Sequence, residues 1–314
     1  GRNDMFHAAR SESYRAALPT NKENLVRIGV GLPITIPDTP GPRLIEWARA
    51  AEDMGFSTLA TIGRLVFPTY EELQALTAAA SVTERIGLFS NVTIGPVYDR
   101  ALLAKLAAGL DQLSEGRFVL GLATGWRDED YVVAGKEHKG RGKRLDEDVE
   151  YMLRAWRGEL VEGATKRLTP TPTNGEAVPL AFGGTAPHCF VRAARYGIGW
   201  TAGGAAPDEV AGFNETARTA WTDAGRADTP KLWSLAYFAL GDGARETATT
   251  YLTDYYGEFG GAMAQQIPAD AESIRGALAA YEAAGSDEFI FDPVSADMRQ
   301  LELLADALGD RLTA

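Results

Sequence analysis

The sequence predicts an α/β protein built as a closed (β/α)8 TIM barrel, and three observations carry that prediction. From Val26 onward, short apolar or β-branched runs ending in Gly, Pro or polar residues alternate with longer segments whose apolar residues recur at helical spacing. Eight strand-like runs fit into one chain of 314 residues, the rhythm of parallel strands with right-handed helical crossovers, and that number favours closure over an open doubly wound sheet. A composition of 45% hydrophobic and 24% charged residues supplies a large core and excludes disordered and fibrous classes.

The candidate strands are Val26–Leu32, Ser57–Ile62, Ile86–Thr93, Phe118–Ala123, Val178–Phe182, Gly197–Thr201, Leu232–Ala239 and Glu288–Phe291. The first helix shows how the intervening segments read. Pro42 sits near its start, where a missing N–H costs nothing, and Leu44, Ala48 and Ala51 form one stripe with Trp47 and Met54 beside it. Arg43, Glu46, Arg49, Glu52 and Asp53 take the wet side, and Gly55 offers a left-handed C-terminal cap. A helix is also expected from about Pro187 to Tyr196. Trp126–Gly142, after the fourth strand, and Gly257–Asp270, after the seventh, are too long for simple turns and are expected as insertions or lids over the C-terminal mouth. Lys166–Gly175, with its Thr-Pro-Thr-Pro-Thr run, reads as an extended excursion before strand five.

Charge and special residues narrow the function. A formal net charge of −12 repels phosphate backbones and anionic membrane surfaces, so a small-molecule partner is expected, with no nucleic acid and no membrane. The single cysteine, Cys189, has no internal disulfide partner, and three histidines (His7, His138, His188) leave few imidazoles for a metal; none is expected. Residues 1–24 carry no apolar run of the secretory type and no stretch elsewhere reaches eighteen apolar residues, so a cytoplasmic, reducing location is expected. Residues 1–24 read as an N-terminal arm or cloning remnant and 25–314 as the barrel domain.

The motif search removes several enzyme classes: the chain has no Gly-x-x-x-x-Gly-Lys-Ser/Thr loop, no Gly-x-Gly-x-x-Gly after strand one, no Gly-x-Ser-x-Gly elbow and no His-Glu-x-x-His. His188 and Cys189 are adjacent and cannot both face one site from a helix. Asp128-Glu129-Asp130 and Asp146-Glu147-Asp148 read as solvated faces. What remains is a pair of glycine doublets at strand ends. Gly183-Gly184-Thr185 follows strand five and precedes a helix, and Gly203-Gly204 occupies the corresponding place after strand six. Exposed peptide amides and a helix N-terminus at neighbouring loops form a phosphate cradle that needs no lysine; tight turns alone would also explain the glycines.

The segments Gly95-Pro96-Val97-Tyr98-Asp99-Arg100-Ala101-Leu102-Leu103-Ala104-Lys105 and Leu110 through Trp126, with Leu113-Ser114-Glu115-Gly116-Arg117-Phe118 ahead of strand four, resemble the bacterial-luciferase-like family of flavin- and deazaflavin-dependent oxidoreductases. The resemblance continues in Arg144-Leu145-Asp146-Glu147, in Pro179 through Pro187 and in Arg192 through Trp200, and covers most of residues 26–300. It implies a (β/α)8 barrel, usually dimeric, with reduced FMN or coenzyme F-420 at the C-terminal mouth. It also implies a strand-three bulge under the ring, often with a cis peptide, which by position is Asn91–Val92; a plain trans strand with Asn91 at the rim is the alternative. The cofactor phosphate is then expected on Gly183, Gly184 and Thr185, with Gly203 and Gly204 closing the far side. Thr124 and Arg127 fall where the family places side chains against the flavin or its phosphate; Arg127 is equally read as a solvated arginine.

Two departures leave the catalytic residues unknown. Many relatives carry His, Asp or Glu at the end of strand two, where this chain reads Thr61-Ile62-Gly63-Arg64, and the His-Pro that often follows strand three is Asp99-Arg100. Three functions follow from the resemblance. In the first, a monooxygenase takes reduced FMN from a separate flavin reductase and, with O2, oxygenates a small organic substrate behind walls formed by Phe67, Trp126, Tyr255, Tyr256 and Phe259; packing is the alternative role of Tyr255 and Phe259. In the second, an F-420-dependent dehydrogenase or reductase uses the basic stretch Lys136, Lys139, Arg141, Lys143 and Arg144 for the coenzyme's polyglutamate tail. In the third, a non-catalytic flavin-binding partner subunit retains the fold.

Overall fold

The computed structural model describes residues 25–312; the N-terminal segment 1–24 lies outside the described residues. Eight parallel strands close into a barrel in chain order: β1 (Arg27–Gly31), β2 (Thr58–Thr61), β3 (Gly87–Ile94), β4 (Phe118–Ala123), β5 (Leu180–Gly183), β6 (Gly199–Thr201), β7 (Lys231–Phe238) and β8 (Glu288–Pro293). Closure is made by β8 pairing with β1, Arg27 opposite Glu288 and Val30 opposite Phe291. The outer helices are α1 (Gly41–Asp53), α2 (Glu72–Ala80), α3 (Arg100–Leu113), α4 (Asp128–Val133), α5 (Arg141–Trp156), α6 (Pro187–Tyr196), α7 (Pro207–Asp223), α8 (Ala244–Tyr256), α9 (Gly260–Gln266), α10 (Ala271–Ala283) and α11 (Met298–Leu308).

Helix boundaries follow local chemistry. α1 buries Leu44, Trp47, Ala48 and Ala51 and ends before Gly55, whose φ of +91° is the left-handed cap the sequence called for. The Asp99 carboxylate accepts from the Ala101 and Leu102 amides and starts α3, and Asp270 does the same for α10 through the Ser273 amide at 2.8 Å. Two strands begin two residues later than expected. Pro179 has no N–H to give the ladder, so β5 begins at Leu180. The Gly197 amide bonds back to Ala193 and terminates α6, so β6 begins at Gly199. The two expected mouth insertions are also more regular than loops: the first folds α4, the second a 3₁₀ turn and α9.

Side chains alternate between the barrel interior and the helical layer. Leu120, Leu122, Phe182, Trp200, Phe289 and Phe291 face the helices in the main core. Ala60, Phe89, Val119, Ala181, Trp233, Leu235 and Ile290 fill the middle of the barrel. Below them Glu288 plugs the N-terminal end, meeting Lys231 Nζ at 3.0 Å, the Trp233 indole at 3.0 Å and the Ser57 hydroxyl at 2.6 Å. Above them Tyr237, Tyr251, Tyr255, Ile267 and Val294 form a separate apolar cluster at the mouth, with Ile62, Phe67 and Tyr256 packed on it.

Candidate functional site

The floor of the mouth is set by β3. Its register against β4 shifts between Ser90 and Thr93, and the Asn91–Val92 peptide is cis. Gly121 lets the bulge come close, since a Cβ there would sit 2.0 Å from the Ser90 carbonyl oxygen. Asn91 is 5% exposed; its Oδ1 accepts from the Thr201 hydroxyl at 2.9 Å, and its buried Nδ2 has no hydrogen-bond partner among the described residues. Gly183 completes the group: a Cβ there would lie 3.3 Å from Thr201 Cγ2 and 3.5 Å from Val92 Cγ1. Thus β3, β5 and β6 bring Asn91, Val92, Gly183 and Thr201 together, Thr201 being the member the sequence reading missed.

The glycine doublets follow directly. Gly183 is buried while Gly184 and Thr185 are exposed, and α6 starts beside them without a side-chain cap, leaving its first amides without that partner. Gly184 has φ +109°, and its carbonyl accepts from the Trp200 indole at 2.9 Å, which fixes the turn. Across the gap Gly203, at φ +59°, donates its amide to Thr201 Oγ1 at 3.3 Å, and Gly204 is exposed. His188 is exposed and Cys189 buried, so the two do not share a site.

The opposite wall is aromatic and cationic. Phe67 meets Tyr255 edge-on at 4.8 Å between centroids, and Tyr256 meets Tyr255 at 4.7 Å. The Tyr255 ring has the Arg64 guanidinium at 5.3 Å and the Arg127 guanidinium at 4.8 Å. Arg127 also donates to the Tyr255 carbonyl at 2.8 Å and stacks on Trp126, so it is neither simply solvated nor committed to a phosphate: it ties the β4 loop to α8. The Thr124 carbonyl accepts from the Tyr131 hydroxyl. Trp126 and Phe259, expected as walls, are each 69% exposed. Trp126 follows Gly125 at φ +61°, which turns it outward. Phe259 sits on the turn into α9, whose buried contact is Gly260 against the α8 backbone at Leu252.

Position 64 replaces the acid of strand two with a tie between loops. Arg64 is buried, pairs with Asp130 at 3.4 Å and Glu129 at 2.9 Å on α4, and Asp130 also accepts from the Leu65 and Val66 amides. Behind the bulge, Glu72 is buried and its carboxyl is pushed up to about 7 by desolvation and then by the neighbouring Glu71 charge; the Tyr98 hydroxyl bridges both carboxylates. At the end of β8, Asp292 is buried and its carboxyl rises to about 8 through burial. Its inward neighbours are aromatic: Tyr237 is its register partner on β7, and Tyr251 and Tyr256 feel its charge. The signal for Asp292 was available as an acid at the C-terminal end of an apolar barrel strand.

A flat ring bearing a phosphate fits these residues: an unpartnered buried donor at Asn91, a floor at Gly183 that a side chain would fill, and exposed amides at a helix start. The protein is an oxidoreductase of the closed-barrel type, with these residues gathered at its C-terminal mouth. The chain belongs to the luciferase-like monooxygenase family, whose family model matches residues 26–310. An uncharacterized protein of Mycobacterium tuberculosis, Rv0940c, is 31% identical over 195 residues, 53% of this chain and 67% of that protein. Two solved structures share the fold. An F420-dependent secondary alcohol dehydrogenase in complex with an F420-acetone adduct has TM-score 0.73 at 19% identity, covering 90% of this chain and 98% of that one. The oxygenating constituent of a Pseudomonas putida 3,6-diketocamphane monooxygenase, in complex with FMN, has TM-score 0.70 at 15% identity, covering 92% and 98%. No helix among the described residues is long and apolar enough to cross a membrane.

Proposed function

We propose that the chain is a flavin-dependent monooxygenase that uses reduced FMN and O2 to oxygenate a small organic substrate. One convergence carries the reading: a buried unpartnered amide, a glycine floor and an aromatic wall braced by two arginines meet at one end of a closed barrel. In this reading the Gly183, Gly184 and Thr185 amides hold the phosphate, with Gly203 and Gly204 beside them. Asn91 Nδ2 donates to the polar edge of the ring. Phe67, Tyr255 and Tyr256 keep water out, which the chemistry requires because a wet site wastes reduced flavin. Bound reduced flavin supplies the electrons for O2 activation. A homodimer served by a separate flavin reductase completes the proposal.

A specific observation favours the F-420-dependent dehydrogenase as a second reading. Hydride exchange at a carbonyl wants a proton partner, and Asp292 is a buried carboxyl pushed toward neutrality. Against it, Arg141 and Arg144 of the basic stretch already donate to the backbone carbonyls of Gly125 and Lys139, and Lys143 faces Glu147 at 3.3 Å. Anaerobic titration of the protein with reduced FMN and reduced F-420, followed by admission of air with candidate substrates, decides between them. Tighter reduced FMN binding and O2-dependent product support the monooxygenase; F-420-only affinity supports the dehydrogenase; binding of neither returns the non-catalytic reading.

A further inference from the structure

Asp292 sits at the mouth end of β8, buried on the inward face of the barrel. Ile290, two residues earlier on β8, belongs to the barrel interior, so alternation places Asp292 on the same inward face, one layer nearer the mouth. Its register partner Tyr237 projects inward beside it. Across the seam, Gly31 of β1 makes the room: a Cβ at position 31 would lie 1.8 Å from Asp292 Oδ1, so the carboxyl occupies the volume that any other residue there would claim. The titratable groups facing it are Tyr237 from β7 and Tyr251 and Tyr256 from α8. All three are pushed up by burial first, then by Asp292 and neighbouring tyrosines, Tyr255 among them, and stay neutral across the ordinary pH range. Among the described residues no ion pair and no side-chain hydrogen bond reaches the Asp292 carboxyl.

A carboxyl in such a place is unfavourable for folding, whereas an asparagine or leucine would fill the same space more cheaply. The tyrosine hydroxyls are paired: Tyr237 and Tyr256 bond each other at 2.9 Å, and Tyr251 bonds Thr35 at 2.7 Å. Each of these pairs uses one of its two hydroxyl protons, and the Asp292 carboxyl has no hydrogen-bond partner among the described residues. We propose that the protonated Asp292 carboxyl donates a hydrogen bond to a carbonyl oxygen of the ligand seated in the mouth, either a ring carbonyl of the cofactor or that of an uncharged organic substrate. The inference rests on the flavin reading for the cofactor arm alone. Burial raises the carboxyl to about 8, so the donor is present at neutral pH and is lost as pH rises through that value.

The test is infrared spectroscopy of the full chain labelled with 13C-aspartate, compared with Asp292→Asn, without ligand and with reduced FMN, reduced F-420 or cyclohexanone. The expected result is a carboxylic-acid C=O band at neutral pH that Asp292→Asn lacks and that shifts to lower frequency when one of the probes binds. A shift with a reduced cofactor assigns a ring carbonyl, and a shift with cyclohexanone assigns the substrate. Affinity for that probe falls about tenfold in the wild type as pH passes from two units below to two units above 8, and stays level in Asp292→Asn, which keeps a donor at all pH values. Should the variant fail to fold, the band's pH titration and probe shifts in the labelled wild type decide alone. Absence of the acid band at neutral pH, or a band that none of the three probes moves, overturns the proposal. Failure of both reduced cofactors to bind while cyclohexanone shifts the band overturns the flavin reading and leaves the donor role standing.

Discussion

Glu288 and Asp292 point into the barrel from the same face of β8, four residues apart, and are held in opposite states of protonation. Burial disfavours charge on both. At Glu288 the Lys231 and Arg27 cations and the Ser57 and Thr58 hydroxyls outweigh it and hold the carboxyl below the usual range. At Asp292 nothing opposes burial, and the group stays neutral. The contrast separates an ion-paired plug at the N-terminal end of the barrel from a neutral carboxyl at its C-terminal end.

Asp292→Asn is expected to stabilise the fold, and more so at high pH. The folded pKa is raised, so the folded state binds the extra proton between the ordinary aspartate value near 3.9 and about 8, and stability falls as pH rises through that window. The substitution removes the slope. Thermal unfolding at about pH 5 and about pH 8 checks it: the gain should be larger at the higher pH by on the order of 4 kcal/mol, one proton over three pH units at about 1.4 kcal/mol each. A gain equal at both would contradict a neutral buried carboxyl.

Glu288→Gln acts in the other direction. It removes the carboxylate that Lys231 and Arg27 share at the N-terminal end of the barrel. A loss of roughly 3–5 kcal/mol in denaturant unfolding is expected. Because the Glu288 pKa is depressed, the wild type's benefit is present above the ordinary glutamate range and is lost as pH falls toward the depressed value. The wild-type and variant curves should therefore converge in acid.

Thr201→Val removes the hydroxyl that holds Asn91 Oδ1. The side chains have similar volume, so the fold should lose only about 1 kcal/mol, while Asn91 is freed to turn its amide. On the flavin reading, reduced FMN affinity should drop about fivefold to tenfold, measured by anaerobic fluorescence titration. Unchanged affinity would remove Asn91 from the cofactor site.

The glycine cradle is tested at Gly204. Gly184→Val confounds binding with stability, because φ is +109° and the new Cβ would lie 2.8 Å from Cys189 Sγ. At Gly204 the nearest atom to a new Cβ is Leu235 Cδ1 at 3.9 Å, ordinary contact. Gly204→Val should therefore keep its melting temperature and lose cofactor affinity, whereas Gly184→Val should lose both. Calorimetry beside the same titration distinguishes the two.

The barrel was readable from period and punctuation. Each strand is a short apolar run and each return carries its own signal, as Gly55 and Asp99 show, so local chemistry sufficed to count eight units and place them to within two residues. The glycine doublets were readable for a related reason, since they lie at strand ends where a motif occupies consecutive positions, whereas the Asn91–Val92 bulge was expected only through the family resemblance. Arg64 and Arg127 were not readable in their roles. Their partners, Asp130 and the Tyr255 carbonyl, lie 66 and 128 residues away, and nothing local distinguishes a stacked arginine from a solvated one. Trp126 and Phe259 stand exposed, which aromatic character alone could not foretell because it says nothing about which way a turn points the ring.

Architecture was thus written in the chain itself, since hydrophobic period, caps and glycines act over a few residues and need no partner from afar. The protonation of Asp292, the space Gly31 leaves for it and the orphaned donor of Asn91 emerged when strands from opposite ends of the chain closed on one another. Burial and electrostatic environment belong to the three-dimensional surroundings, so the same aspartate is an ordinary acid in the unfolded chain and a proton-bearing group only in the closed barrel.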